Sequence, residues 1–245
     1  WRYLPTLALG QDLTDYLSTA IQAGKADTVK LLWHGELAQY PYTNHDGIFQ
    51  VWVGLENAKF SFDTGWPLIT DLQLDLLFEN DAMHLDSRSA QLMDVTADRI
   101  TGRIPYLGQG GHIEIEAKAT ASGNAVRDYM TASPLVDSVG AALTALQVSG
   151  DVSSEFQLNI PFESEKEARA WGYADLNGNH VEIEAPPMVL ENTTGRIEFD
   201  NDVVTANGLA ADLLKQGISL DFKGLNDGPG YAVDIDVLGD WDVKP

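Results

Sequence analysis

His112-Ile-Glu-Ile-Glu116 and His180-Val-Glu-Ile-Glu184 are the runs whose residue types and spacing come closest to a chemical site. On a β-strand, residues two apart project to the same face at about 7 Å intervals. Each run would therefore present one imidazole and two carboxylates together, a set that can ligate a divalent cation. The competing reading is a solvated polar stripe backed by an apolar face, Ile113 and Ile115 in one run, Val181 and Ile183 in the other. That reading is preferred. The five histidines are scattered at 34, 45, 84, 112 and 180, so neither run has a second histidine nearby. Paired carboxylates of the glycosidase kind can be found anywhere in a chain with 37 Asp and Glu, so they identify nothing. No GxSxG, HExxH, GxxxxGK[ST] or strand-to-helix GxGxxG is present. The expectation is a protein with no catalytic residues, no metal and no cofactor.

The elements that carry these runs read mainly as strands. Leu72, Leu74, Leu76 and Phe78 alternate with Gln73, Asp75 and Leu77, which predicts a half-buried antiparallel strand. The same alternation recurs at Ile113, Ile115, Ala117 and Ala119, at Phe156, Leu158 and Ile160, at Ile197 and Phe199, at Ile218, Leu220 and Phe222, and at Tyr231, Val233, Ile235 and Val237. TVKLLWHGEL (residues 28–37) reads as a further strand. Tyr40-Pro41-Tyr42 interrupts it, since proline cannot donate to a central ladder. Trp33, Trp52 and Trp171 sit at strand ends or alternating positions, which predicts ordinary core use.

Two segments read as helices. Leu13, Tyr16, Leu17, Ala20 and Ile21 share a helical face over residues 10–24, with Gly24 as C-cap. Residues 123–146 form the second, through Val126, Tyr129 and Met130, a restart at Ser133-Pro134, and then Leu135, Val139, Ala142, Leu143 and Leu146.

The chain also contains a copy of itself. Leu55, Phe60, Phe62, Leu76, Phe78 and Asn80 are answered 121 residues on by Leu176, Val181, Ile183, Ile197, Phe199 and Asn201. Asp15-Tyr16-Leu17 is echoed by Asp128-Tyr129-Met130, so the repeat includes its helix, and extra residues fall in the loop SEKEAR (164–169). The organisation predicted is two helix-plus-β units, 1–122 and 123–245, each with six or seven short antiparallel strands; the second copy of the stretch 45–81 begins near residue 166. No βαβ alternation supports a doubly wound sheet.

Composition removes several function classes. Lys plus Arg is 15 against 37 acidic residues, a net charge of −22. Such a surface repels phosphate backbones and anionic leaflets, which argues against nucleic acid and against peripheral membrane docking. The absence of cysteine excludes a disulfide framework. The first residue is Trp1, no secretory h-region comes after it, and no apolar run is long enough to span a bilayer, so the expectation is an excised piece of a longer protein. The positive signal is one of bulk: strand after strand shows one apolar face, and two short helices cannot cover them all. Such a sheet must close on itself, pack against another chain, or line a groove. An apolar groove suits acyl chains, at about 0.8 kcal/mol per methylene buried.

Residues 40–81, YPYTNHDGIFQVWVGLENAKFSFDTGWPLITDLQLDLLFEND, resemble the central part of the YhdP family of AsmA-like envelope proteins. DYMTASPLVDSVGAALTALQVSGDVSSEFQLNIPF (128–162) resembles the next segment there, and the match is weakest after residue 215. The resemblance implies a place among the bridge-like lipid transfer proteins. These have an inner-membrane anchor and a periplasmic array of repeated antiparallel sheets curled into an elongated trough with an apolar inner face. It further implies a periplasmic segment that moves phospholipids between inner and outer membrane. Its partners would be the phospholipid acyl chains and the flanking repeats of the same polypeptide, with membrane contact only through parts outside the segment.

The inward face expected on this reading comprises Leu72, Leu74, Leu76, Phe78, Ile113, Ile115, Phe156, Leu158, Ile160, Val181, Ile183, Ile197, Phe199, Ile218, Leu220, Phe222, Val233, Ile235 and Val237. Tyr16, Leu17, Leu143 and Leu146 of the helices would face it. Aspartate at Leu74 and Leu76 would block lipid passage and leave the protein folded. Two alternatives stand beside it. One is a structural or interaction spacer with a dry, self-packed β core; the other, resting on six Trp among many Asp and Asn, is a carbohydrate-binding or hydrolytic β-sandwich.

Overall fold

The computed structural model describes residues 18–61, 65–108, 110–136, 145–161, 166–184, 186–226 and 231–240, apart from the side chains of Asp27 and Asn226. Strands dominate them: β1 (Ile21–His34), β2 (Ile48–Phe60), β3 (Ile69–Glu79), β4 (Ala82–Ser87), β5 (Ala90–Leu92), β6 (Val95–Ile104), β7 (His112–Ser122), β8 (Leu146–Ser149), β9 (Asp151–Pro161), β10 (Arg169–Ile183), β11 (Met188–Asp200), β12 (Val203–Leu213), β13 (Gln216–Asn226) and β14 (Tyr231–Leu238). The helix α1 (Gly123–Thr131), which lies wholly within the described residues, and a 3-10 turn (Leu37–Gln39) join them. The fold is mainly β, and the strand pairs with a defined register are antiparallel.

Two compact units are present, one of Trp1–Met93, Ala97–Ala117 and Leu158–Ala168, the other of Asp94–Thr96, Lys118–Gln157 and Arg169–Pro245. In the first, the hydrogen-bonded order is β1-β2-β3-β4-β6-β7, with β5 against β3 and β6. In the second it is β9-β10-β11-β12-β13-β14, with β8 against β10. Strand β7 pairs with β9, and each unit holds part of both.

The copy seen in the sequence is reproduced in hydrogen-bond register. Every defined pair of β2 with β3, from Gln50 opposite Glu79 to Phe60 opposite Ile69, recurs 121 residues on between β10 and β11, from Trp171 opposite Asp200 to Val181 opposite Leu190. The next hairpin repeats too: Leu76 faces Leu85 as Ile197 faces Ala206. Strands β4 and β5 together match the single strand β12, since Ile69 faces Leu92 as Leu190 faces Leu213.

Backbone irregularities are copied as well. Positive φ occurs at Asn57 and Gly178, at Asp71 (54°) and Asn192 (53°), at Asn80 (52°) and Asn201 (49°), and at Met93 (53°) and Leu214 (52°). The bulge at Asp71 lets Ile69 and Leu72, three residues apart, both turn inward, where plain alternation would send one of them to water. Asn192 does the same for Leu190 and Thr193.

At Asn80 the side-chain Oδ1 accepts from Phe49 N (2.9 Å), and Asn80 N donates to Phe49 O (2.8 Å). Asn201 repeats this on Ala170, at 2.8 and 2.7 Å. Asparagine suits the position because it tolerates left-handed backbone and supplies the acceptor.

Helix α1 starts where Ser122 accepts from Ala125 N (3.2 Å), a side-chain N-cap. A Cβ on Gly123 would lie 2.2 Å from Val148 O, so only glycine lets the helix start this close to β8.

Both helical expectations need correction. Residues 18–20 are helical, but 21–24 belong to β1, and Gly24 (φ 144°) passes along Ala58 within a strand pair instead of capping a helix. Pairing with β2 overrides the helical spacing there. Residues 10–17, with Tyr16 and Leu17, lie outside the described residues. The second breaks after Thr131, residues 136 and 145 are helical again, and Leu146 opens β8, opposite Ile183. Residues 137–144, with Val139, Ala142 and Leu143, and 164–165 of the SEKEAR loop lie outside the described residues.

Candidate functional site

The feature that function could use is the apolar face. In the first unit Leu72, Leu74, Leu76 and Phe78 of β3 are 3–4% exposed, Ile113 and Ile115 of β7 are 2–3%, and Leu158 of β9 is 6%. In the second unit one cluster joins Val181 and Ile183 of β10, Ile197 of β11, and Ile218, Leu220 and Phe222 of β13, with Val126 of α1 and Leu146 of β8 packed on it. Thirteen of the nineteen positions expected on the inward face are thus deeply buried. The other six, Phe156, Ile160, Phe199, Val233, Ile235 and Val237, remain partly open, Val237 most of all at 36%. This division bears on the aspartate substitutions: Leu74 and Leu76 lie in closed packing, so charges there act on folding before they act on any passenger.

Polar groups enter the buried face mainly in the second copy. Asn179 (3% exposed) and Thr193 (0%) pair where the first copy has Ala58 and Leu72. The Asn179 amide donates to Ser149 O and Asp151 O (both 3.0 Å), and its Oδ1 accepts from Asn177 N (2.8 Å). This stitches β8, β9 and β10 together. Aligning the two copies in the sequence would have exposed the substitution, since both positions fall on the 121-residue offset.

The opposite face is charged and aromatic. In the second unit Lys118 bonds Glu155 (2.6 Å), Tyr173 shares Glu155, Arg196 stacks 3.6 Å from the Tyr173 ring centroid, and Arg196 grips Asp175 with two bonds of 2.8 and 2.9 Å. The Arg196 hydrogen bonds hold the Asp175 carboxyl below its ordinary pKa. Lys30 lies over Trp52 and Arg169 over Trp171, each 4.8 Å from the ring centroid. Trp52 and Trp171 therefore face outward beneath cations, and Trp33 is 47% exposed, its indole donating to Tyr42 Oη (2.7 Å). The tryptophans do not fill the core as their spacing predicts, because strand phase puts residues 52 and 171 on the solvent face.

The two His–Glu runs share that outer face. His112 meets Glu114 at 3.0 Å. His180 is held on both nitrogens, Nδ1 by Glu191 and Nε2 by Glu182, each at 3.0 Å. The two carboxylates thus bind the ring from opposite sides rather than converge on a shared cation, and both contacts are hydrogen bonds when the ring is protonated. Among the described residues no group of three His, Asp or Glu is arranged to hold a metal ion.

The bonds to Glu191 and then Glu182 raise the His180 pKa. Stability from this group is full below the ordinary histidine value and is lost as pH rises through the folded one. Thermal melts between about pH 5 and 8 should show a pH-dependent drop in wild type that is smaller in His180→Asn; parallel curves would contradict the assignment.

Among the described residues no helix is long and apolar enough to cross a membrane. A model of the YhdP protein family matches residues 1–245. The chain is 36% identical over 241 residues to a protein of Escherichia coli (strain K12) described as the intermembrane phospholipid transporter YhdP. The match covers 98% of this chain and 19% of that protein, so the chain spans about a fifth of its relative's length. No solved structure matches the chain significantly.

Proposed function

The chain belongs to the YhdP family, and on that premise we propose that it is a non-enzymatic length of a periplasmic lipid conduit, organised as two repeat units, 1–122 and 123–245. Acyl chains of phospholipids would lie against the apolar face of each unit, on the way between inner and outer membrane, and the charged face would meet water. The observation that supports this best is the set of apolar positions left partly open, of which Phe199, Val233 and Ile235 pack against the buried cluster of the second unit. An apolar lining suits passage, since each methylene gains about 0.8 kcal/mol wherever it lies; Asn179 and Thr193 interrupt it in the second copy.

A second reading keeps the same sheets as a spacer with a dry core, and the deep burial of thirteen of the nineteen positions favours it. Photo-crosslinking separates the two. With a photoreactive residue at Phe199 or Ile235, the protein purified from envelope membranes should carry phospholipid adducts, and one at Leu220 (1% exposed) should carry none. Absence of adducts at every position, with no phospholipid in native mass spectra, would favour the spacer.

A further inference from the structure

We propose that Asn177 is a modification site, where the chain turns its own side-chain amide into a carboxylate by closing a succinimide ring with Gly178 and opening it with water. Asparagine is thermolabile, because its side-chain carbonyl lies within reach of the next main-chain nitrogen. A glycine in that next place leaves the approach unhindered. The sequence has two Asn-Gly pairs, Asn177-Gly178 on β10 and Asn207-Gly208 on β12. All four residues are exposed. Their backbone nitrogens are held differently.

On β10 the ladder is suspended at this pair. Asn177 is opposite Thr194 and Asn179 opposite Thr193, so Gly178 bulges out with no residue facing it. Its φ is 79°, and nothing lies within 4 Å of the place a Cβ would take. The Gly178 N–H reaches the Thr194 hydroxyl at a long 3.3 Å. On β12, Gly208 (φ 65°) donates instead to the Asp221 carboxylate at 2.6 Å. The ring closes only when the glycine nitrogen sheds its proton, and a carboxylate so near opposes the negative charge that forms there. Asn177 is therefore the reactive position and Asn207 the protected one.

The reaction balances with water alone. Gly178 N attacks Cγ of Asn177, the N–Cγ bond forms, the Cγ–Nδ2 bond breaks, and Nδ2 leaves as ammonia with the proton from Gly178 N. Water then adds to one ring carbonyl and returns a proton to the nitrogen. Opening at Cγ gives aspartate. Opening at the main-chain carbonyl gives isoaspartate, whose main chain runs through Cβ and is one carbon longer.

That extra carbon falls beside the tie between β8, β9 and β10. Asn177 N donates to Asn179 Oδ1, and the Asn179 amide holds Ser149 O and Asp151 O. Isoaspartate displaces residue 177 from this bond and loosens the tie, whereas aspartate keeps the main chain and the bond. The first unit has Glu56 and Asn57 at the equivalent positions and no Asn-Gly pair, so the change strikes one copy.

Peptide mapping of the whole folded chain, incubated over a series of pH values, tests this. Trypsin isolates Asn177 between Arg169 and Arg196, and Asn207 between Arg196 and Lys215. Position 177 should gain aspartate and isoaspartate several times faster than 207, at a rate that rises with hydroxide. In the urea-unfolded chain the two positions should convert alike. Asp221→Ala, with the circular dichroism of the sheet kept, should bring Asn207 up to the rate of Asn177. The aged protein should be cut near Gly150 sooner than Asn177→Asp, which carries the charge without the added carbon. Equal rates at the two positions in the folded chain, a lead at 207, no conversion at 177 where the unfolded chain converts, an Asn207 that stays slow in Asp221→Ala, or aged protein as resistant as Asn177→Asp would each overturn the proposal.

Discussion

Aspartate at both Leu74 and Leu76 unfolds the first unit. The two side chains are 4% and 3% exposed, on a strand whose neighbours β2 and β4 place Leu55, Val53, Ser87 and Leu85 opposite them. Removing a buried leucine side chain costs about 2–5 kcal/mol, and each carboxylate adds the penalty of an unpaired buried charge. Two such sites together match the roughly 5–15 kcal/mol that holds a typical domain folded. Limited proteolysis should cut β2 to β4 in the double variant, with loss of sheet circular dichroism. Ile235→Asp, at a partly open position, should leave the sheet intact and is the better probe of lipid passage. A double variant that kept the wild-type proteolytic pattern would mean that the apolar face is open at Leu74 and Leu76, and the burial argument would fail.

Asn80→Ala destabilises the first unit by about 2–5 kcal/mol, from two sources. Alanine in the left-handed region costs about 1–2 kcal/mol, and the Phe49 N–H, on a residue 6% exposed, loses its acceptor at about 1–3 kcal/mol. Asn80→Gly keeps the φ of 52° without strain and should lose only the second part. Asn80→Asp keeps both features and should lose least. The same series at Asn201, acting on Ala170, should give the same ranking in the second unit. Chemical denaturation measures both, and a glycine variant as damaged as the alanine one would remove backbone strain from the account.

The strands were legible because period-two alternation is a local signal. Leu72 to Phe78 and Ile113 to Ala119 alternate in the sequence and are buried in that phase. The mainly β class and the family came from the same residues. Residues 28–34 of β1 were legible as a strand, but its start was not, since Leu13 to Ile21 share a helical spacing and only pairing with β2 makes residues 21–24 a strand. The outward tryptophans follow plain alternation, since Trp52 is out of phase with the buried Phe49 and Val51 and no bulge lies between them. The depth of burial of the candidate face was equally hidden, because alternation says which side a residue takes and nothing about what lies over it.

The constancy of the 121-residue spacing, from Phe49 and Ala170 through Met93 and Leu214, has a genetic consequence. Strand β12 is continuous where β4 and β5 are broken, yet the break adds no residue. Recombination between misaligned copies anywhere in this window would join a strand to its counterpart in phase. The product would gain or lose one whole unit, with every surviving hairpin still in register. A gene with this property can change the length of its protein in discrete steps without passing through an unfoldable intermediate.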